Sequence, residues 1–310
     1  MKIGLFDSGL GGLTVVIKIL EKYKNSGSDI LELVYLADTI NAPYGAKTQL
    51  ELRDIIHKNI DFLYNQNCDF IVVACNSASI LKKSEHYNMN NAISNNTYHY
   101  NHSYIDMITP TLDFCKKNLY KNNLIFATTA TIESGLYKNS FENNDLKLDQ
   151  YTLPELATLI DSNASTRIVD KYIKTEVNKC FRELNIFKNN TLENRDAIEV
   201  RDTTFNTKYD AIILGCTHYP LFTDIFEKYC KGIKIINPAD PVSDFVISKI
   251  KEVKSKQEKE IDNKNKNKNK NKNKNKNNIS LQVFLTKKND YIEKFILENI
   301  KVKSLEIKVI

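Results

Sequence analysis

IVVACNSAS, residues Ile71–Ser79, places four apolar residues ahead of a cysteine and follows it with Asn76 and Ser77. A short unbroken apolar run reads as a strand buried on both faces, as in a parallel sheet. Its polar end then falls where the strand leaves the sheet. The layout returns in AIILGCTHYP, Ala211–Pro220, where a second apolar run reaches Gly215, Cys216, Thr217 and His218. One strand ending in cysteine is unremarkable, but two with the same layout point to two related halves facing each other.

Outward from these runs, strand-like and helix-like segments alternate. Ile3–Phe6, Leu31–Ala37, Phe70–Ala74, Asn123–Ala127, Asp210–Gly215, Ile233–Ile236 and Leu281–Leu285 read as strands. Leu13–Tyr23, Leu50–Tyr64, Leu153–Ser162, Thr166–Asn185, Leu221–Tyr229 and Tyr291–Ile300 read as helices. Such alternation predicts an α/β fold with mostly parallel, buried sheets. In that architecture ligands sit beyond the carboxyl ends of the strands, where every polar cluster of this chain falls.

Composition narrows the functional class. The chain has 310 residues, 42% of them hydrophobic, enough for a substantial core. Seven of its lysines lie in one tract, Asn263–Asn278, and setting them aside turns the net charge of +6 into −1. The basicity is therefore local, and no nucleic-acid footprint is expected. That tract and the Asn-rich stretch Tyr87–Ser103 lack the apolar residues needed to order them and are expected to be surface inserts, the Lys-Asn one disordered. His86, His99 and His102, in or beside the first insert, read as solvated loop histidines. No apolar run has the length of a signal sequence core or a membrane span, so a cytoplasmic protein without membrane attachment is expected. The six cysteines form no CxxC pair, and Cys68, Cys115, Cys180 and Cys230 read as small buried hydrophobes.

Cys75 and Cys216 suggest more. Inverting a carbon stereocentre by proton transfer needs a base on one face and an acid on the other, and a tuned thiol serves either role. His218 stands two residues beyond Cys216, where it can orient or ionise that thiol. A metal site at Cys216-Thr217-His218 lacks further ligands at suitable spacing, so no metal is expected. A single Cys-His nucleophile for acyl transfer stays open but leaves Cys75 without a role. An amino-acid-binding protein would explain two halves without explaining paired thiols. At the N-terminus, LFDSGLGGLTVV runs a strand into Asp7, Ser8 and three glycines; backbone amides there can hold an anion, although the spacing matches neither GxGxxG nor a P-loop. Asp7 can meet a thiol or an ammonium group. Asp38 reads as a turn cap, and Pro43-Tyr44-Gly45 makes a stiff corner able to offer backbone N–H groups.

Asp7-Ser8, Pro43-Tyr44-Gly45, Cys75-Asn76-Ser77 and Cys216-Thr217-His218, in this order, together with IFATTATIESGLY at Ile125–Tyr137, resemble the glutamate racemases of the aspartate/glutamate racemase superfamily. The resemblance implies two pseudo-symmetric α/β domains with the active site in the cleft between them. We expect residues 1–103 with 222–310, including the Lys-Asn insert 263–278, to form one domain and 104–221 the other. It also implies an isomerase that needs no cofactor, interconverts L- and D-glutamate, and supplies D-glutamate for peptidoglycan. By the same resemblance Cys75 and Cys216 exchange the α-proton, with Asp7 and His218 assisting. Substrate binding would fall to Asp7, Ser8, Tyr44, Gly45, Asn76, Ser77, Thr128, Thr131, Thr217 and His218. Aspartate or another acidic amino acid is the alternative substrate on the same fold. Family members pair in different ways, and a homodimer is the expectation. Two positions depart from the family pattern. Ser77 replaces a threonine, keeping its hydroxyl, and Asp161 stands seven residues after Pro154 where the family carries an assisting glutamate. Asp161 is accordingly left out of the expected catalytic set.

Overall fold

A computed structural model of the chain describes residues 1–24, 30–79, 104–184, 208–264 and 278–310. The Asn-rich stretch Tyr87–Ser103 and its histidines lie outside them, as do residues 265–277 of the Lys-Asn tract. The fold has two sheets, and every strand pair in both is parallel. The first contains β1 (Lys2–Asp7), β2 (Leu31–Ala37), β3 (Phe70–Val73), β4 (Tyr104–Ile105), β9 (Ile279–Leu285) and β10 (Ser304–Val309), in the order β10-β9-β2-β1-β3-β4. The second contains β5 (Asn122–Ala127), β6 (Lys147–Thr152), β7 (Ala211–Gly215) and β8 (Lys234–Ile236), in the order β6-β5-β7-β8. The α/β class with mostly parallel sheets is thus as the apolar runs predicted. β4 and β8 fix how the chain divides between sheets: Tyr104–Ile105 pairs into the first and Lys234–Ile236 into the second.

The central strands are buried along almost their whole length, which is why they read as continuous apolar runs. Helices α1 (Leu13–Lys24), α2 (Gln49–Asn65), α3 (Ile108–Lys117), α4 (Thr129–Glu133), α5 (Leu136–Glu142), α6 (Leu156–Asp161), α7 (Thr166–Glu183), α8 (Thr223–Tyr229), α9 (Ala239–Lys264) and α10 (Asp290–Asn299) surround the sheets. α2 begins at a capping box, in which Thr48 and Glu51 satisfy each other's backbone N–H groups. One apolar cluster joins Leu13 and Val16 of α1, Leu156 and Ile160 of α6, and Ile212 and Leu214 of β7, so the halves share a core.

Several elements differ from the sequence reading. The helix expected over Leu153–Ser162 is the shorter α6, because Pro154 biases Leu153 towards extended backbone. The helix expected over Leu221–Tyr229 opens as a 3-10 turn at Tyr219–Phe222 and becomes α-helical at Thr223. The polar helix α9 runs through Asn263 and Lys264, the first two residues of the tract expected to be disordered.

Parallel pairing gathers the carboxyl ends of the strands along one edge of each sheet. β1 ends at Asp7, β3 just before Cys75, β5 just before Thr128 and β7 just before Cys216. Two glycines let the halves approach there. A Cβ on Gly11 would lie 2.3 Å from Thr217 Oγ1 and 2.7 Å from His218 Nδ1, and one on Gly45 would lie 2.8 Å from Thr128 Cβ. Only residues without a side chain fit at these crossings.

Candidate active site

Asp7 is fully buried at the end of β1. Its Oδ2 accepts the backbone N–H of Gly12, so the glycine turn folds back over the carboxylate, and accepts the Thr217 hydroxyl of the other half at 3.1 Å. Oδ1 has no hydrogen-bond partner among the described residues. Burial pushes the Asp7 carboxyl above its ordinary range, against the opposing pull of the His218 imidazole. Beneath the turn the hydroxyl of buried Tyr35 donates to Gly9 O at 2.5 Å and supports it from below.

Cys75 follows β3 and is 5% exposed. Burial first, and then the charge of Asp7, push its thiol well above the usual range. Beside it Asn76 accepts the Tyr137 hydroxyl on Oδ1 at 2.6 Å, while its buried Nδ2 has no acceptor among the described residues. Ser77, Thr128 and Thr131 form a triangle of hydroxyls with sides of 2.9, 3.2 and 3.0 Å that bridges the two sheets. The serine needs no threonine methyl to make these contacts.

Across the pocket, Cys216 Sγ lies 3.7 Å from His218 Nδ1, and His218 Nε2 lies 2.8 Å from Asp161 Oδ1 at the end of α6. Burial disfavours an imidazolium at His218, but the Asp161 carboxylate and Cys216 together more than offset it, and the imidazole stands well above its ordinary value. The Tyr219 hydroxyl donates to Leu153 O at 2.8 Å and ties this turn to the segment leading into α6. Tyr44 closes a third wall. Its hydroxyl donates to Asp38 Oδ2 at 2.6 Å and accepts from Asn59 Nδ2 at 2.6 Å, so the phenol is committed to the protein. Asp38 is more than a turn cap: Asn41 and Thr286 also donate to its carboxylate.

One pocket collects these groups. Asp7, Ser8, Tyr44, Gly45, Cys75, Asn76, Ser77, Thr128, Cys216, Thr217 and His218 all line it, joined by Pro43, Ala157 and Asp161. Thr131 does not; it stands behind, holding the hydroxyls of Ser77 and Thr128. The empty space among the lining residues, counting what opens to solvent, is about 310 Å³. Asp161, left out on the sequence evidence, belongs to the site by geometry. Its signal was the spacing from Pro154, read as a departure because aspartate is a methylene shorter than glutamate. Here that reach suffices to meet His218 directly.

A thiol from each of two parallel sheets, with an imidazole-carboxylate pair beside one and a carboxylate beside the other, gives this α/β protein one pocket lined by groups able to carry protons. The fold matches solved structures of glutamate racemases. The glutamate racemase of Bacillus anthracis superposes with a TM-score of 0.68 at 22% identity, covering 99% of this chain and 96% of that one. The glutamate racemase of Francisella tularensis, solved with D-glutamate, does so with a TM-score of 0.66 at 23% identity, covering 99% and 97%. In sequence the chain is similar to glutamate racemases: that of a Hydrogenobaculum species is 27% identical over 252 residues, 81% of this chain and 83% of its own length. The glutamate racemase of Fusobacterium nucleatum is 27% identical over 267 residues, 83% of this chain and 84% of its own. No family model matches the chain. The resemblance carried by the aspartate, PYG and cysteine motifs is therefore to glutamate racemase, an isomerase, and it extends through most of the chain.

Proposed function

We propose that the protein racemises glutamate by two-thiol proton transfer without a cofactor, and so provides D-glutamate for peptidoglycan. The observation that carries this reading is the presence of both strand-end thiols, Cys75 and Cys216, in the lining of one small pocket. In the direction from L- to D-glutamate, Cys216 as thiolate removes the α-proton, and the Cys75 thiol delivers its proton to the opposite face of the carbanion. The reverse direction exchanges the roles. His218, held by Asp161, stabilises the charge that alternates at Cys216, and Asp7 serves Cys75. The unpartnered Asp7 Oδ1 is an acceptor for the substrate ammonium, and the unpartnered Asn76 Nδ2 a donor for a carboxylate. A buried donor or acceptor without a partner is costly in the empty protein, and the substrate offsets that cost. Donors fixed in place before reaction, in a pocket that excludes water, are what a carbanion requires in the absence of an electron sink.

The test is optical and isotopic. Purified protein with L- or D-glutamate and no added cofactor should bring the circular dichroism signal to zero, and in D2O the product should carry deuterium at Cα. Cys75→Ala and Cys216→Ala should each lower racemisation by roughly 10³-fold or more. Full activity in either variant removes the two-thiol mechanism. The Cys216-His218-Asp161 chain also has the order of a thiol nucleophile with its base and orienting carboxylate. Acyl transfer from that chain alone would leave the optical signal of glutamate unchanged and would survive loss of Cys75. Side-by-side rates on glutamate and aspartate decide between the two acidic substrates.

A further inference from the structure

We propose that Tyr137 is a positioning residue that aims Asn76 at the substrate: its hydroxyl, reaching across from the second half, donates to Asn76 Oδ1 and leaves the Nδ2 amino group turned into the pocket as the donor for a carboxylate. The inference rests on the racemase reading and goes beyond it by assigning a role to a residue outside the pocket lining. An asparagine amide has nearly the same shape either way round, so only its hydrogen bonds decide which end meets a ligand. The Tyr137 hydroxyl donates to Asn76 Oδ1 at 2.6 Å, an ordinary O–H···O separation, and this bond holds the amide with its oxygen towards the phenol. Nδ2 is then left without an acceptor among the described residues, in a side chain only 2% exposed, at the wall of the pocket.

Local structure explains why Tyr137 can do this. Gly135, in the left-handed conformation at φ 66°, opens α5. Tyr137, the second residue of α5, is wholly buried, with its ring 6.2 Å from that of Phe141. The phenol therefore cannot swing away to water. Because Asn76 follows β3 of the first sheet and Tyr137 belongs to the second half, the amide is aimed only while the halves are together. Assembly of the pocket and orientation of its anion donor are one event.

Racemisation kinetics of Tyr137→Phe, Asn76→Ala and the double variant test this. Tyr137→Phe should raise KM for glutamate about 10-fold while kcat changes less than about 3-fold, since a freed amide presents its oxygen to the anion part of the time. In the Asn76→Ala background the same change should have no further effect. An unchanged KM in Tyr137→Phe, or an equal effect in both backgrounds, overturns the proposal. A second measurement uses the unaltered protein and needs no turnover. In asparagine-labelled protein the side-chain amide signals of Asn76, assigned by their loss in Asn76→Ala, should shift on addition of D-glutamate. Absence of that shift also overturns it, and this arm decides if Tyr137→Phe does not fold. A protein that shifts these signals but does not racemise glutamate fails the racemase reading and keeps the contact between Asn76 and the ligand; one that racemises with Tyr137→Phe unaltered keeps the racemase reading and loses the positioning role.

Discussion

Asp161 decides how the second thiol is supported. Its carboxylate, 2.8 Å from His218 Nε2, together with Cys216 holds the imidazole well above its ordinary value against the effect of burial. A histidine raised in this way contributes stability that is fully present below its unfolded value of about 6.5 and lost as pH climbs through the raised folded value. Asp161→Asn should therefore melt below the parent at about pH 6, with the difference closing as pH climbs through that raised value, as thermal denaturation across pH will show. Turnover of the same variant should fall roughly 10- to 100-fold, measured by circular dichroism at saturating glutamate. Cys75 makes the complementary case. Burial and the Asp7 charge keep its thiol protonated, so its alkylation by iodoacetamide should be slow at about pH 7 and still climbing at about pH 9, followed by peptide mass spectrometry. A rate that levels near the ordinary thiol value would refute the account of its environment. Of these residues, the two thiols and His218 were legible because each follows an apolar run by a fixed short step. Asp161 was not: its value lies in a distance to His218, and the chain separates them by α7 and β7.

Among elements, the glycine turn between β1 and α1 and the corner at Tyr44–Ala46 do the joining. Gly11→Ala places a methyl 2.3 Å from Thr217 Oγ1, against a turn that cannot retreat without moving His218. It should cost about 1–3 kcal/mol in denaturant unfolding and lower turnover more than tenfold, whereas alanine at the exposed position Lys256 should change neither. α9 and β10 were missed for a common reason. α9 carries a long run of charged residues whose helical stripe is weak, and β10 is a half-exposed edge strand whose Leu305, Ile307 and Val309 alternate with Glu306 and Lys308. Neither presents the dense apolar signature of a buried element, because neither is buried on all sides.

At the scale of the molecule, every residue lining the pocket lies at or just beyond a strand end, in the Pro43–Gly45 corner or in α6, far in sequence from residues 265–277. Replacing those residues with a short Gly-Ser linker should leave kcat and KM within about twofold, and a loss of turnover in a folded, soluble variant would show that the tract serves the site. Beside the shared apolar core, contacts between the halves are made by the catalytic neighbourhood itself, through Ser77 with Thr128 and Thr131, Asn76 with Tyr137, and Asp7 with Thr217. The pocket is part of the junction. What the sequence determined alone was the set of buried strands and the groups at their ends, because burial on both faces writes an uninterrupted apolar run into the chain and its polar end needs no partner to be recognised. What only the tertiary structure decided was which of those groups meet: Asp161 with His218, Tyr137 with Asn76, the phenol of Tyr44 turned away to Asp38 and Asn59. Hydrogen bonds act over about 3 Å between residues that lie far apart along the chain, and that separation leaves no local pattern to read.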